Sequence, residues 1–118
     1  MRISEIMSKD VETVGPTCTV DEAADLMRQN HIRHLVITRD GDVLGVVSDR
    51  DVRSPRLFGE RLTDVMSDPA ITIRPNDTVR TAANRMNRRR VGSLPVVERG
   101  RLVGIVTVTD LLRVLSRG

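Results

Sequence analysis

The chain has 118 residues, 39% apolar, with a net charge of +3 from 19 basic and 16 acidic residues. No apolar run approaches the ~18 residues a bilayer-spanning helix needs, and a single cysteine, Cys18, excludes an intrachain disulfide, so a cytoplasmic protein is expected. One aromatic residue, Phe58, leaves no rings on which bases could stack, and the small basic surplus is modest for a nucleic-acid binder.

In chain order, "MRISEIMSKD" has no apolar stretch long enough for a secretory signal and reads as a short turn of helix. Thr13-Val14 is a short extended piece ended by Pro16. Val20, Ala23, Ala24 and Met27 then give the i, i+3, i+4, i+7 stripe of an amphipathic helix, with Thr19 and Glu22 spaced as a capping box. "HLVIT" and "VLGVVS" flank "RDGD" as a hairpin whose Gly41 supplies positive φ. Near-continuous apolar strands predict that both sheet faces are covered. A helix is expected after Ser48. "RSPRLFGERLTDVMSD" links to a second series: Thr72-Ile73, a helix striped by Val79, Ala82, Ala83 and Met86, the hairpin "SLPVVE"/"LVGIVT" turning at Gly100, and a helix striped by Val108, Leu111, Leu112 and Leu115.

The second series is the first one again. A shift of 59 residues overlays the chain on itself without a gap, with identities that include Met7/Met66, Ser8/Ser67, Thr13/Thr72, Ala23/Ala82, Met27/Met86, Gly45/Gly104 and Asp51/Asp110. Two copies are too few for a solenoid. The expected architecture is therefore α/β (α+β): two tandem β-α-β-β-α repeats, 1–59 and 60–118, packed as a pseudo-twofold pair.

Catalytic chemistry has little to work with. Cys18 and His34 could pair as nucleophile and base, but Cys18 aligns with Asp77 just before a helix, which reads as a turn. His31 and His34 straddle a helix-to-strand joint without a Cys or acidic cluster to complete a metal site. "RRR" at 88–90 ends a helix, where cations suit the dipole. The feature that recurs is Gly-x-x-Ser/Thr-x-x-Asp: "GVVSDRD" with Ser48 and Asp51, and "GIVTVTD" with Thr107 and Asp110. Helix capping explains the hydroxyl and the acid. Two anion sites at helix N-termini would explain them too, and would also use the glycine and the first-copy basic residues Arg33, His34 and Arg50. On the residues alone, capping and ligand binding both stand.

The doubled unit, the "IMS"/"VMS" lead-ins, the "P-x-x-T-V" helix entries and "GSLPVV" before the second hairpin resemble a pair of cystathionine β-synthase (CBS) domains, a Bateman module, over essentially the whole chain. The resemblance implies a non-enzymatic module that senses an adenosine nucleotide (AMP, ADP or ATP) in the cleft between the repeats and regulates a separate protein, with no cofactor or metal. It implies that Asp110 holds ribose hydroxyls and Thr107 the phosphate, that Arg33, His34 and Arg50 reach that phosphate from the first copy, that Thr109 adds a hydroxyl, and that the base lies near Thr72, Ile73 and Val91. A second site would use Ser48 and Asp51 with Thr13, Val14, Gly92, Ser93 and Thr109, where the sequence departs from the family's basic pattern. It also implies a homodimer. The alternatives are a ligand-independent dimerisation scaffold and, less favoured, a nucleic-acid-binding module.

Overall fold

The computed structural model describes residues 1–66 and 70–117; Ser67, whose identity with Ser8 supports the repeat, lies outside the described residues. The elements are β1 (Thr13–Val14), α1 (Val20–Asn30), β2 (His34–Arg39), β3 (Asp42–Ser48), α2 (Leu62–Val65), α3 (Val79–Arg89), β4 (Ser93–Glu98), β5 (Arg101–Thr107) and α4 (Val108–Ser116), with 3-10 turns at Ile3–Glu5 and Pro55–Leu57. The chain packs as two units. One is Glu12–Ala70; the other joins Met1–Val11 to Ile71–Gly118.

In the Glu12–Ala70 unit, β1 runs parallel to β2, and β2 pairs antiparallel with β3. The turn between β2 and β3 has two left-handed residues, Asp40 (φ 51°) and Gly41 (φ 87°), the twist that a two-residue hairpin requires. Thr19 caps α1: its hydroxyl accepts from the Glu22 N–H, and the Glu22 carboxylate accepts from the Thr19 N–H. His31 ends the helix in the left-handed conformation. The buried face of α1 (Val20, Ala23, Met27) meets Leu35, Ile37, Val47, Val52 and Leu62 in one core. Burial of successive residues Leu35, Val36 and Ile37 shows both faces of β2 covered.

The other unit repeats these solutions. β4 pairs antiparallel with β5 through a turn at Arg99 (φ 51°) and Gly100 (φ 79°). The extended piece Thr72-Ile73 supplies a single parallel bridge, Ile73 to Val96, in place of a strand. Thr78 caps α3, and Arg90 ends it in the left-handed conformation. Ile3, Ile73, Ala82, Met86, Leu94, Val96, Val106 and Leu111 form its core.

The core residues show that each lead-in packs in the unit built around the other repeat's hairpin. Ile3, from the start of the chain, is buried with the 71–118 elements, and its shifted equivalent Leu62 is buried with the 12–59 elements. The backbone bonds match pair by pair: Ile3 N–H to Asp77 O and Leu62 N–H to Cys18 O, both 2.9 Å; Val79 N–H to Met1 O, 3.0 Å, and Val20 N–H to Glu60 O, 2.9 Å. The sequence boundary between the repeats at 59/60 and the division into packed units are thus different partitions of the chain.

One expected element is absent. After Ser48 there is no helix but a hydrogen-bonded turn, then the 3-10 turn at Pro55–Leu57. Pro55 accounts for this. A helix through it would lose an amide donor and drive the ring into the Asp51 carbonyl, and Ser54 before it is pushed out of the α region. The apolar stripe is missing as well, because the positions of Leu112 and Leu115 are held here by Arg53 and Arg56. Only Val52, the equivalent of Leu111, still enters the core.

Candidate functional site

Each hairpin exit builds the same small structure. At Thr107 the backbone N–H donates to Asp110 Oδ2 at 2.8 Å, the hydroxyl donates to the same oxygen at 3.1 Å, and the Asp110 N–H donates to Thr107 Oγ1 at 3.3 Å. At Ser48 the three corresponding distances to and from Asp51 are 2.8, 3.1 and 3.4 Å. Both motifs are therefore reciprocal capping boxes. Only the Thr107 box caps a helix, the nine residues of α4. The expectation of a helix N-terminus at Ser48 is corrected with the helix itself.

The donors at these exits are mostly spent. The Val108 N–H donates to Gly92 O at 3.0 Å, and its counterpart Asp49 N–H to Arg33 O at 2.8 Å. With the Thr107 and Asp110 amides inside the box, Thr109 keeps the one N–H of the first turn of α4 without a partner among the described residues. The Thr107 hydroxyl proton is committed to Asp110, so donating to a phosphate requires releasing that bond. Asp110 uses Oδ2 alone; Oδ1 has no partner among the described residues. Asp110 is half-buried, whereas Asp51 is exposed.

The glycine three residues before each hydroxyl is explained by the chain, not by a ligand. A Cβ on Gly104 would stand 2.8 Å from Met7 Sδ and 2.8 Å from the Ser8 carbonyl; one on Gly45 would stand 2.6 Å from Met66 Sδ. The lead-in segments occupy these places.

The remaining expected residues fall as follows. In the unit with α4, Ser93 is the register partner of Thr107 on the paired strand, Gly92 precedes it, and Thr109 is exposed. Ile73 is 1% exposed; its N–H is bonded to Pro95 O and its carbonyl to the Val97 N–H. Val91 is half-buried and donates to Met86 O. The Thr72 carbonyl accepts from the Arg85 guanidinium at 2.6 Å. Arg85 is the neighbour that sequence reasoning missed. Its signal was a cation at the position where α1 has Leu26. In the other unit, His34 is the register partner of Ser48, Arg33 accepts from the Asp49 N–H, and Arg50 is exposed within the turn. Thr13 and Val14 form β1 beside Val36 and Ile37. The structure thus gathers Arg33, His34, Arg50, Ser48 and Asp51 at one hairpin exit, and Gly92, Ser93, Thr107, Thr109 and Asp110 at the other.

Cys18 occupies a turn, its N–H bonded to Gly15 O, as that of Asp77 is to Arg74 O. Burial, then the nearby charges of Glu22 and Asp21, raise its thiol pKa. The carboxyl of Asp21 is held below the ordinary carboxylate value, first by the Gly59 N–H it accepts at 2.7 Å.

The family model for the CBS domain matches residues 3–55 and 62–117. The chain belongs to the CBS domain family. Among its relatives, the CBS domain-containing protein YhcV of Bacillus subtilis is 31% identical over 114 residues, covering 92% of this chain and 81% of that protein. The chain is also 31% identical to the homoserine O-acetyltransferase of Methanohalobium evestigatum over 117 residues, which spans 97% of this chain but only 24% of the enzyme. A CBS domain pair solved in complex with 5′-methylthioadenosine and S-adenosyl-L-methionine matches with a TM-score of 0.89 at 26% identity, covering 99% of this chain and 97% of that one. A CBS-domain containing protein from Agrobacterium tumefaciens matches with a TM-score of 0.88 at 26% identity, over 98% and 99% of the two chains. Among the described residues no helix is long and apolar enough to cross a membrane.

Proposed function

We propose that this CBS pair is a regulatory module, not an enzyme, and that it binds an adenosine nucleotide at the Thr107–Asp110 exit. The observation that carries this reading is Asp110: one carboxylate oxygen holds the cap of α4 while the other is left to accept from a ligand. A ribose presents two hydroxyl donors, the complement of a carboxylate oxygen with two lone pairs. Thr109 adds the amide that has no partner among the described residues, at the helix end where the dipole favours an anion. The related CBS pair that was solved with two adenosine compounds supports the ligand class. Arg33, His34 and Arg50 are proposed as the phosphate contacts on the family resemblance alone, with charge-assisted bonds about twice as strong as neutral ones. Thr72 and Val91 are proposed to meet the base. The Ser48–Asp51 exit is proposed as the weaker or empty site, since no helix stands behind it. The nucleotide-bound module is proposed to act on a separate regulated protein.

Titration calorimetry with AMP, ADP, ATP, S-adenosylmethionine and adenosine tests this. At least one adenosine phosphate is expected to bind with a dissociation constant near micromolar, about −8 kcal/mol. Absence of heat and of any thermal shift with all five would leave the ligand-independent scaffold as the reading.

A further inference from the structure

The extended piece Thr72-Ile73 borders β4 on one side, and its other side carries an acceptor and a donor together. Ile73 spends both backbone groups on β4: its N–H donates to Pro95 O, and its carbonyl accepts from the Val97 N–H. A trans peptide points its carbonyl opposite to its N–H, so the Thr72 carbonyl and the Arg74 N–H face away from β4. The Arg74 N–H is taken by the Asp77 carboxylate at 2.9 Å. The Thr72 carbonyl accepts from Arg85 Nη1 at 2.6 Å, in a half-buried bond. Neither partner is exhausted. A carbonyl oxygen has a second lone pair, and a guanidinium has further N–H donors. Arg85 has no other side-chain partner among the described residues.

The first repeat lacks this pair. Thr13 stands where the second repeat has Thr72, and Leu26 where it has Arg85. Leu26 packs against the core of its unit, so that position offers no donor.

We infer that Arg85 sets the base choice of the nucleotide site and admits guanosine phosphates beside adenosine phosphates. The inference rests on the proposal that the base meets Thr72 and Val91. Adenine presents an amino donor next to a ring-nitrogen acceptor. Guanine presents the O6 acceptor next to the ring N–H at position 1. An acceptor beside a donor serves both. Thr72 O takes the adenine amino group while Arg85 donates to the ring nitrogen, or Thr72 O takes the guanine ring N–H while Arg85 donates to O6. A carbonyl without the arginine serves adenine only, because guanine O6 would be left without a donor. Arginine is also the side chain that most often reads guanine O6 in DNA.

The full chain is titrated calorimetrically with the mono- and triphosphates of adenosine, guanosine and inosine, as wild type, Arg85→Leu and Arg85→Lys. Inosine keeps O6 and the ring N–H but lacks the 2-amino group, so it isolates the edge in question. Wild type is expected to bind the guanosine and inosine phosphates within about tenfold of their adenosine counterparts. Arg85→Leu copies Leu26, which the same fold already carries. It is expected to weaken guanosine and inosine phosphates by about tenfold or more while changing adenosine phosphates less. Arg85→Lys keeps one donor and is expected to recover part of the guanosine binding. Wild type that binds adenosine phosphates but no guanosine phosphate would overturn the inference and leave the nucleotide reading standing. So would an equal loss for all three bases in Arg85→Leu. Absence of binding by every nucleotide would overturn the nucleotide reading and this inference with it.

Discussion

The exits from the two hairpins, Ser48–Asp51 and Thr107–Asp110, begin alike and end differently. Their three capping bonds agree within 0.1 Å. Past the aspartate, one chain runs into Pro55 and becomes a turn, while the other continues as α4. The comparison teaches that the serine or threonine and the aspartate build the cap, and that the residues after them decide whether the cap has a helix to hold. It also separates two roles the motif could have. Both carboxylates cap through Oδ2 and leave Oδ1 without a partner among the described residues; only Asp110 does so at a helix end and half-buried.

The largest expected effect lies in the core behind each exit. Leu111 anchors α4, and Val52 holds the equivalent place behind the turn. Leu111→Ala should cost about 2–5 kcal/mol by urea denaturation, the usual range for a buried leucine, and should cost more than Val52→Ala. Equal losses would mean that α4 adds nothing to its unit. Next comes the missing helix. Changing Arg53→Leu, Pro55→Val and Arg56→Leu copies the α4 sequence into the first repeat and should raise helical circular dichroism by roughly two turns. If the signal stays unchanged, Pro55 is not what ends the chain's helical course there. A smaller effect belongs to the caps. Thr107→Ala should cost about 0.5–2 kcal/mol, while Ser48→Ala, with only a turn to lose, should fall at or below the lower end of that range.

The smallest concerns pH. The depressed Asp21 carboxyl stabilises the fold above its unfolded pKa, and that contribution disappears as pH falls through the lower, folded value. Wild type should therefore lose more stability than Asp21→Asn between about pH 4 and the folded pKa below it. Parallel acid-melting curves for the two would show that the Gly59 bond contributes nothing.

Most of the fold was legible because the repeat gave every element twice. The α1 stripe, the Thr19–Glu22 box and the left-handed turns at Gly41 and Gly100 follow from local patterns that the structure keeps. The aspartate spacing after Ser48 points to a helix, which Pro55 in the following linker prevents. The exchanged lead-ins were not legible. Ile3 and Leu62 belong to near-identical segments, and local sequence cannot say which of two similar cores each will enter. At the site, the motif residues were legible by type, but the purpose of Gly45 and Gly104 and the placement of Arg85 on Thr72 needed the packed chain.

The central claim is that Asp110 both caps and binds, whereas Asp51 only caps. Asparagine separates the two roles, since one amide oxygen still accepts from the backbone while the other position becomes a donor that repels a ribose hydroxyl proton. The direct measurement is calorimetric titration of Asp110→Asn and Asp51→Asn, side by side, with the adenosine phosphate that the wild type binds. The account predicts that Asp110→Asn keeps its melting temperature within a few degrees and loses at least tenfold in affinity, while Asp51→Asn binds as wild type does. Wild-type affinity in Asp110→Asn, or the loss appearing in Asp51→Asn instead, would contradict it.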